Sequence, residues 1–134
     1  MVLLFDAYSP FDADQTGKFL LLAARNPEAR FILAHMGGPK FSEMLLFASA
    51  KKFSWYANNV WLELSVTAAQ FADSPYEDEL VFVCRSVGVD RVLFGSDYPV
   101  TTPAESLRAV RALGFTAEEE RKILYENAMA LLGP

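Results

Sequence analysis

Short apolar runs alternate with longer stretches in which apolar residues recur at helical spacing. Residues 2–5, VLLF, form the first run and predict a buried strand ending in a polar turn. Residues 12–26 predict a helix closed by Pro27, and residues 30–35, RFILAH, a second strand. Residues 39–53 predict a helix with Pro39 in its first turn, where a missing N–H is harmless. In residues 59–65, Val60, Leu62 and Leu64 alternate with Trp61, Glu63 and Ser65, the period of a third strand. Residues 75–88 predict a helix stopped by Gly88, and residues 91–97, RVLFGSD, a fourth strand. Helices over 103–114 and 116–133 complete the pattern, the last opening with Thr116 and Glu119 at capping-box spacing.

Four strands, each followed by helix, predict an α/β fold with a parallel sheet covered by helices. Composition narrows this little further. The chain has 134 residues, 52% hydrophobic and 22% charged, which fits a single globular unit rather than a disordered one. A net charge of −5 argues against nucleic acid or an anionic membrane surface as partner. No apolar stretch is long enough to span a bilayer, and no basic segment precedes the first apolar run, so no signal peptide is read. Cys84 is the single cysteine. It reads as a buried thiol in a reducing compartment, and the expected location is cytoplasmic.

In parallel sheets ligands bind beyond the carboxyl ends of the strands. Those ends carry Asp6 and Tyr8, then His35 with Gly37 and Gly38, then Glu63 to Thr67, and finally Asp97 before Tyr98 and Pro99. His35 and Asp97 are the chemically capable pair. Imidazole titrates near neutrality and can pass a proton close to a reacting atom. The plain alternatives are a packed structural histidine, and an aspartate that caps the helix at 103–113 or makes an Asx turn before Pro99. Glu63 is expected to face solvent. Tyr8 and Tyr98 could line a pocket or pack on the rim. Arg85, Arg91, Arg108, Arg111 and Arg121 read as solvated faces or structural ion pairs.

FILAHMGG (31–38) and VLFGSDYP (92–99) together resemble the C-terminal half of the amidohydrolase-related proteins, metal-dependent (β/α)₈ barrels that include hydrolases, lactonases and decarboxylases. ARNPEARFILAHMGG (24–38) is similar to that family's helix, proline, strand and His-Gly-Gly succession, and ILYENAMALLG (123–133) to its terminal helix. The resemblance covers nearly the whole chain. It implies that His35 ends strand six beside the metal and orients or polarises the attacking water or substrate. It implies that Asp97 ends strand eight, binds the metal and moves protons. Both residues are then candidate catalytic and metal-site residues, the implied cofactor is a divalent metal, zinc, and the partner a small-molecule substrate. Zinc lowers the pKa of bound water from ~15.7 to about 7, and a carboxylate can then carry the proton. The implied activity is hydrolysis or non-oxidative decarboxylation of a small carboxylated or cyclic substrate.

The departures matter as much. A barrel of this kind has eight strands and typically about 250 residues, whereas four strands are read here. The family's strand-one His-x-His pair is absent, and its strand-five histidine should fall near Phe5. Asp6 is adjacent, but neighbouring strand residues point to opposite faces. A catalytic zinc needs about three protein ligands, and two are clear. Residues 1–134 therefore read as one partial domain, a C-terminal half-barrel. Three explanations stand: a fragment, a half completed by a second polypeptide or by itself, or a degenerate relative without catalysis. Strands 2–5 and 92–96 should be open edges, which favour association with a missing N-terminal half-barrel or with further copies. The rival classes are a non-catalytic half-barrel interaction module and an open flavodoxin-like α/β ligand-binding domain.

Overall fold

The computed structural model describes residues 1–9 and 11–133. Its elements are β1 (Val2–Asp6), α1 (Gln15–Arg25), β2 (Arg30–Ala34), a run of tight turns over His35–Met44, and α2 (Leu45–Ala50). Then come β3 (Val60–Glu63), α3 (Ser65–Phe71), α4 (Glu77–Val87), β4 (Val92–Leu93), α5 (Pro103–Ala112), α6 (Ala117–Arg121) and α7 (Asn127–Leu132). A π-turn over Lys122–Glu126 joins the last two into one continuous rod. No helix among the described residues is long and apolar enough to cross a membrane.

The strands form one parallel sheet in the order β1-β2-β3-β4. This sequential order is that of half a (β/α)₈ barrel and excludes the flavodoxin-like alternative, whose strand order doubles back as 2-1-3-4-5. The strand alternation sorts side chains as expected. Phe31, Leu33, Val60, Leu62 and Val92 enter the main core beneath α1, α2 and α4. Leu33, Leu62 and Val92 are fully buried there, and truncating either leucine to alanine would cost about 2–5 kcal/mol.

Four expectations need correction. The helix expected over 39–53 becomes regular only at Leu45, because four successive residues, His35 to Gly38, have positive φ and spend the chain in a tight left-handed turn. The stretch after β3 forms α3, which the sequence reading left without a helix. The fourth strand stops at Leu93 rather than Asp97, and Gly95 just beyond it passes close against the Glu63 carboxyl.

The fourth correction concerns the edges and the inner face. β1 is an open edge, with no strand beyond it among the described residues. β4 is not open. Its outward-facing Val92 carbonyl accepts from Asn127 Nδ2 at 2.8 Å, and the Phe94 N–H donates to the Ile123 carbonyl in the π-turn at 3.1 Å. A π-turn leaves a carbonyl outside the regular helical ladder, and the sheet edge uses it. Beyond this, Leu131 of α7 packs against Ile32 and Leu93 on the face away from the main core, and its carbonyl accepts from Arg30. The terminal helix thus covers part of the face that in a barrel points inward. Leu4, 66% exposed, stays uncovered.

Candidate functional site

The carboxyl ends of the strands converge on one cavity of about 390 Å³, lined by Asp6, Tyr8, His35, Val66, Asp97 and Val100. His35 and Asp97 are therefore brought to the same rim. So is Asp6, for a reason that lies in β1. Phe5 turns into the helix layer against Phe19 and Phe31, with ring centroids 5.6 and 6.2 Å away. The next residue must then face the cavity. It is Asp6, not Phe5, that stands where a strand-end ligand would be.

Asp6 Oδ1 accepts from the Tyr8 N–H at 2.8 Å and lies 3.8 Å from His35 Nε2. The Tyr8 ring meets the imidazole edge-on, centroids 6.0 Å apart at 85°. Gly38 lies flat against that tyrosine, and a Cβ at position 38 would overlap the ring. Tyr98 is 73% exposed and stands outside the lining.

His35 itself has φ 63°, a left-handed conformation disfavoured for a residue with a Cβ. Its two peptide groups are held from the end of β3 and the first turn of α3. Its N–H donates to Glu63 Oε2 at 3.2 Å, and its carbonyl accepts from Thr67 Oγ1 at 2.6 Å. The imidazole Nδ1 is buried and has no hydrogen-bond partner among the described residues. Ser65 and Asp97 share the left-handed conformation, at φ 41° and 57°. Backbone strain of this kind concentrates where a structure fixes side chains for use.

Glu63 is the residue that sequence reasoning misplaced. It does not face solvent. It lies half-buried on the face of β3 opposite the Leu62 core face, against His35 but outside the cavity lining, and its Oε1 is buried without a partner among the described residues. Burial pushes its carboxyl above the usual carboxylate range; the His35 N–H pulls the other way and the charge of Asp97 adds to the rise. Alternation in residues 59–65 did separate Glu63 from the leucine face, but His35 and Gly95 cover the opposite face at this position.

Asp97 does not cap the following helix. Thr102 does, in a reciprocal box with Glu105. The arginines behave as read: Arg85 forks onto Glu119 at 2.8 and 2.9 Å, Arg121 pairs with Glu126, and Arg91 lies over the Trp61 ring at 4.5 Å. No lysine or arginine lines the cavity, so its polar character is one imidazole among carboxylates.

A parallel sheet in sequential order, with histidine directly after its second strand and aspartate four residues beyond its fourth on the same rim, is close to the arrangement that the resemblance implies. The amidohydrolase family model matches residues 3–133. The chain belongs to the amidohydrolase family. A search of curated proteins gave no significant match.

Among solved structures, a 2,6-dihydroxybenzoate decarboxylase in complex with 2,6-dihydroxybenzoate is similar over 98% of this chain and 50% of its own, with TM-score 0.66 and 19% identity. A dihydroxybenzoic acid decarboxylase from Polaromonas sp. JS666, with bound manganese and the inhibitor 2-nitroresorcinol, aligns over 92% and 42%, with TM-score 0.63 and 21% identity. A 5-carboxyvanillate decarboxylase from Novosphingobium aromaticivorans DSM 12444, complexed with manganese and 4-hydroxy-3-methoxy-5-nitrobenzoic acid, aligns over 87% and 38%, with TM-score 0.56 and 20% identity. At these identities the likeness establishes the fold, that of half a barrel. The amidohydrolase chain spans half or less of each neighbour's length.

Two of these neighbours hold manganese; neither is described with zinc. The present residues do not by themselves fit a metal centre. Among the described residues no three His, Cys, Asp or Glu side chains come together as a metal-holding group. Asp6, His35 and Asp97 share one cavity without forming such a group.

Proposed function

We propose that this chain carries the histidine-and-aspartate wall of an amidohydrolase active site that acts on small carboxylated or cyclic substrates, by hydrolysis or non-oxidative decarboxylation. The observation that carries the reading is the convergence of Asp6, His35 and Asp97 on one cavity at the strand ends. His35 and Asp97 are the catalytic candidates in this reading, and both belong to the part of the metal site that this half supplies. Asp97 moves the proton at its carboxylate. Asp6, 3.8 Å from His35 Nε2, stands beside the imidazole and orients it. Tyr8, Val66 and Val100 supply apolar wall for a flat ring. The remaining cations and ligands come from a second half-barrel, the missing partner of this one, which joins through the open edge of β1. Closure on the other side requires α7 to leave β4 and the inner face. Cofactor and substrate of the completed site are a divalent metal, zinc or manganese, and a small molecule.

A second reading has a specific observation behind it. A terminal helix seated on the inner face stabilises the half-sheet without a partner, as a non-catalytic binding module would require.

One experiment addresses both. His35 is the only histidine, so labelled histidine gives a single imidazole signal. Manganese is paramagnetic and broadens the signals of nuclei near it. Because this half offers no complete metal-holding group among the described residues, Mn²⁺ is expected to broaden that signal only weakly and 2-nitroresorcinol to shift it saturably, with Asp97→Asn removing the broadening. An imidazole signal indifferent to both probes would remove the active-site reading.

A further inference from the structure

We propose that Glu63 and Thr67 are positioning residues for His35: the carboxylate and the hydroxyl grip its peptide from both sides and so aim the imidazole into the cavity. The proposal rests on the reading of His35 as the working imidazole of that cavity. Its own support is geometric. The His35 N–H has one acceptor, Glu63 Oε2 at 3.2 Å, and the His35 carbonyl has the Thr67 hydroxyl at 2.6 Å. The two gripping residues stand four positions apart on either side of the β3–α3 turn. That turn passes through Ser65 at φ 41°, and the bend delivers both side chains to the same neighbour.

Neither residue is what packing alone would select. Thr67 is fully buried in an apolar layer, where valine would fill the same space. Glu63 places one carboxyl oxygen on the histidine and leaves the other buried without a partner. A buried, half-satisfied carboxylate costs stability that an apolar residue would not. The segment that follows the fourth strand also makes room for it. Any side chain at Gly95 would collide with the Glu63 carboxyl, so the glycine makes room for the grip. The object gripped is a residue in a conformation it would otherwise leave. Without the two bonds the peptide can relax to negative φ, which swings the imidazole away from Asp6 and Tyr8.

The test uses the same labelled chain, read by His35 amide exchange and imidazole chemical shifts, with far-UV circular dichroism as the folding check. Glu63→Ala and Gly95→Ala are expected to speed His35 amide exchange by about tenfold, the factor for losing roughly 1.4 kcal/mol of hydrogen bonding, and to shift the imidazole signals. Glu63→Gln keeps an acceptor for the His35 N–H and should stay within about threefold of the parent, which separates a geometric role from a need for charge. Thr67→Val removes only the hydroxyl and should shift the imidazole signals alone. Val83→Ala, a buried cavity variant on α4, is the control for general loosening and should move neither readout. His35 signals unchanged in folded Glu63→Ala or Gly95→Ala, or moved equally by Val83→Ala, would overturn the proposal. If neither of those two variants folds, Thr67→Val decides: shifted imidazole signals support the grip and unshifted ones overturn it. No metal or substrate enters the measurement, so it can fail while the active-site reading stands, and the reverse.

Discussion

At the N-terminal end of the sheet, Asn59 Nδ2 donates to the carbonyls of Ala23, Asn26 and Ala29, and Asn127 Nδ2 to those of Val89 and Val92. At the C-terminal end, buried His35 Nδ1 and Glu63 Oε1 have no partner among the described residues. The first end uses its polar side chains to tie loops to strands. Asn59 locks the turn between α1 and β2, and Asn127 locks the terminal helix to β4. The first end also leaves Asn59 Oδ1 and Tyr56 OH buried without a partner among the described residues, and Asn58 takes positive φ. The second end differs in that its uncommitted atoms belong to an imidazole and a carboxyl, and His35, Ser65 and Asp97 all take positive φ. Barrel enzymes divide the labour of their two faces in this way, stability at the bottom and chemistry at the top. The proposed site would give half a barrel the same division.

The comparison can be broken at its largest expected effect by Asn59→Ala. The amide has two N–H donors, so the 3.3 Å contact to Ala23 shares one of them. Two hydrogen bonds at about 1 kcal/mol each predict a loss of roughly 2 kcal/mol in urea unfolding, with the His35 imidazole signal unmoved. A shifted imidazole would mean that the two ends are not separable. The next effect has the opposite sign. Asparagine tolerates the left-handed region better than histidine does, so His35→Asn should leave stability unchanged or raise it by up to about 1 kcal/mol while removing the imidazole. A clear loss of stability would show the histidine to be structural.

The smallest effect gives a reference outside both ends. Arg85 and the Thr116 N–H hold the Glu119 carboxyl down to about 2, from an ordinary 4.5. Between these values the unfolded chain binds more protons than the folded one. The contribution of Glu119 is therefore full above pH 4.5 and is lost as pH falls toward about 2. Glu119→Gln should flatten that limb of a stability-against-pH curve and leave the neutral region nearly unchanged, because the pair is on the surface.

Much of this was legible in the sequence. The four strands, their order and parallel sense, the stop at Gly88 and the Thr116 capping box follow from periodicity and cap chemistry, which are local. The rim placement of His35 and Asp97 follows from strand ends in a parallel sheet. What escaped depended on distant pairings. SVTAAQF carries too weak a helical signal to announce α3, which forms because the Thr67 hydroxyl and a buried face fix it in place. Glu63 read as solvent-facing because alternation reports that two faces exist, not what lies over each. Asp6 read as doubtful because a single strand gives parity but not which parity is inward; the packing of Phe5 on Phe19 decides that. The covered edge of β4 depends on a π-turn, for which ILYENAMALLG carries no recognised signal.

That covered edge sets how many neighbours the sheet can recruit. A sheet with two open edges is bifunctional, as a monomer is in polymer chemistry: each addition leaves an end that adds again, and the product is a fibre. With β4 sealed by Asn127 and the π-turn, only β1 is left to react. A unit of functionality one terminates the chain that it joins. Two copies paired through β1 would have no reactive edge left, so strand addition stops at a dimer and filament growth is closed off by a single carboxamide and one helical carbonyl.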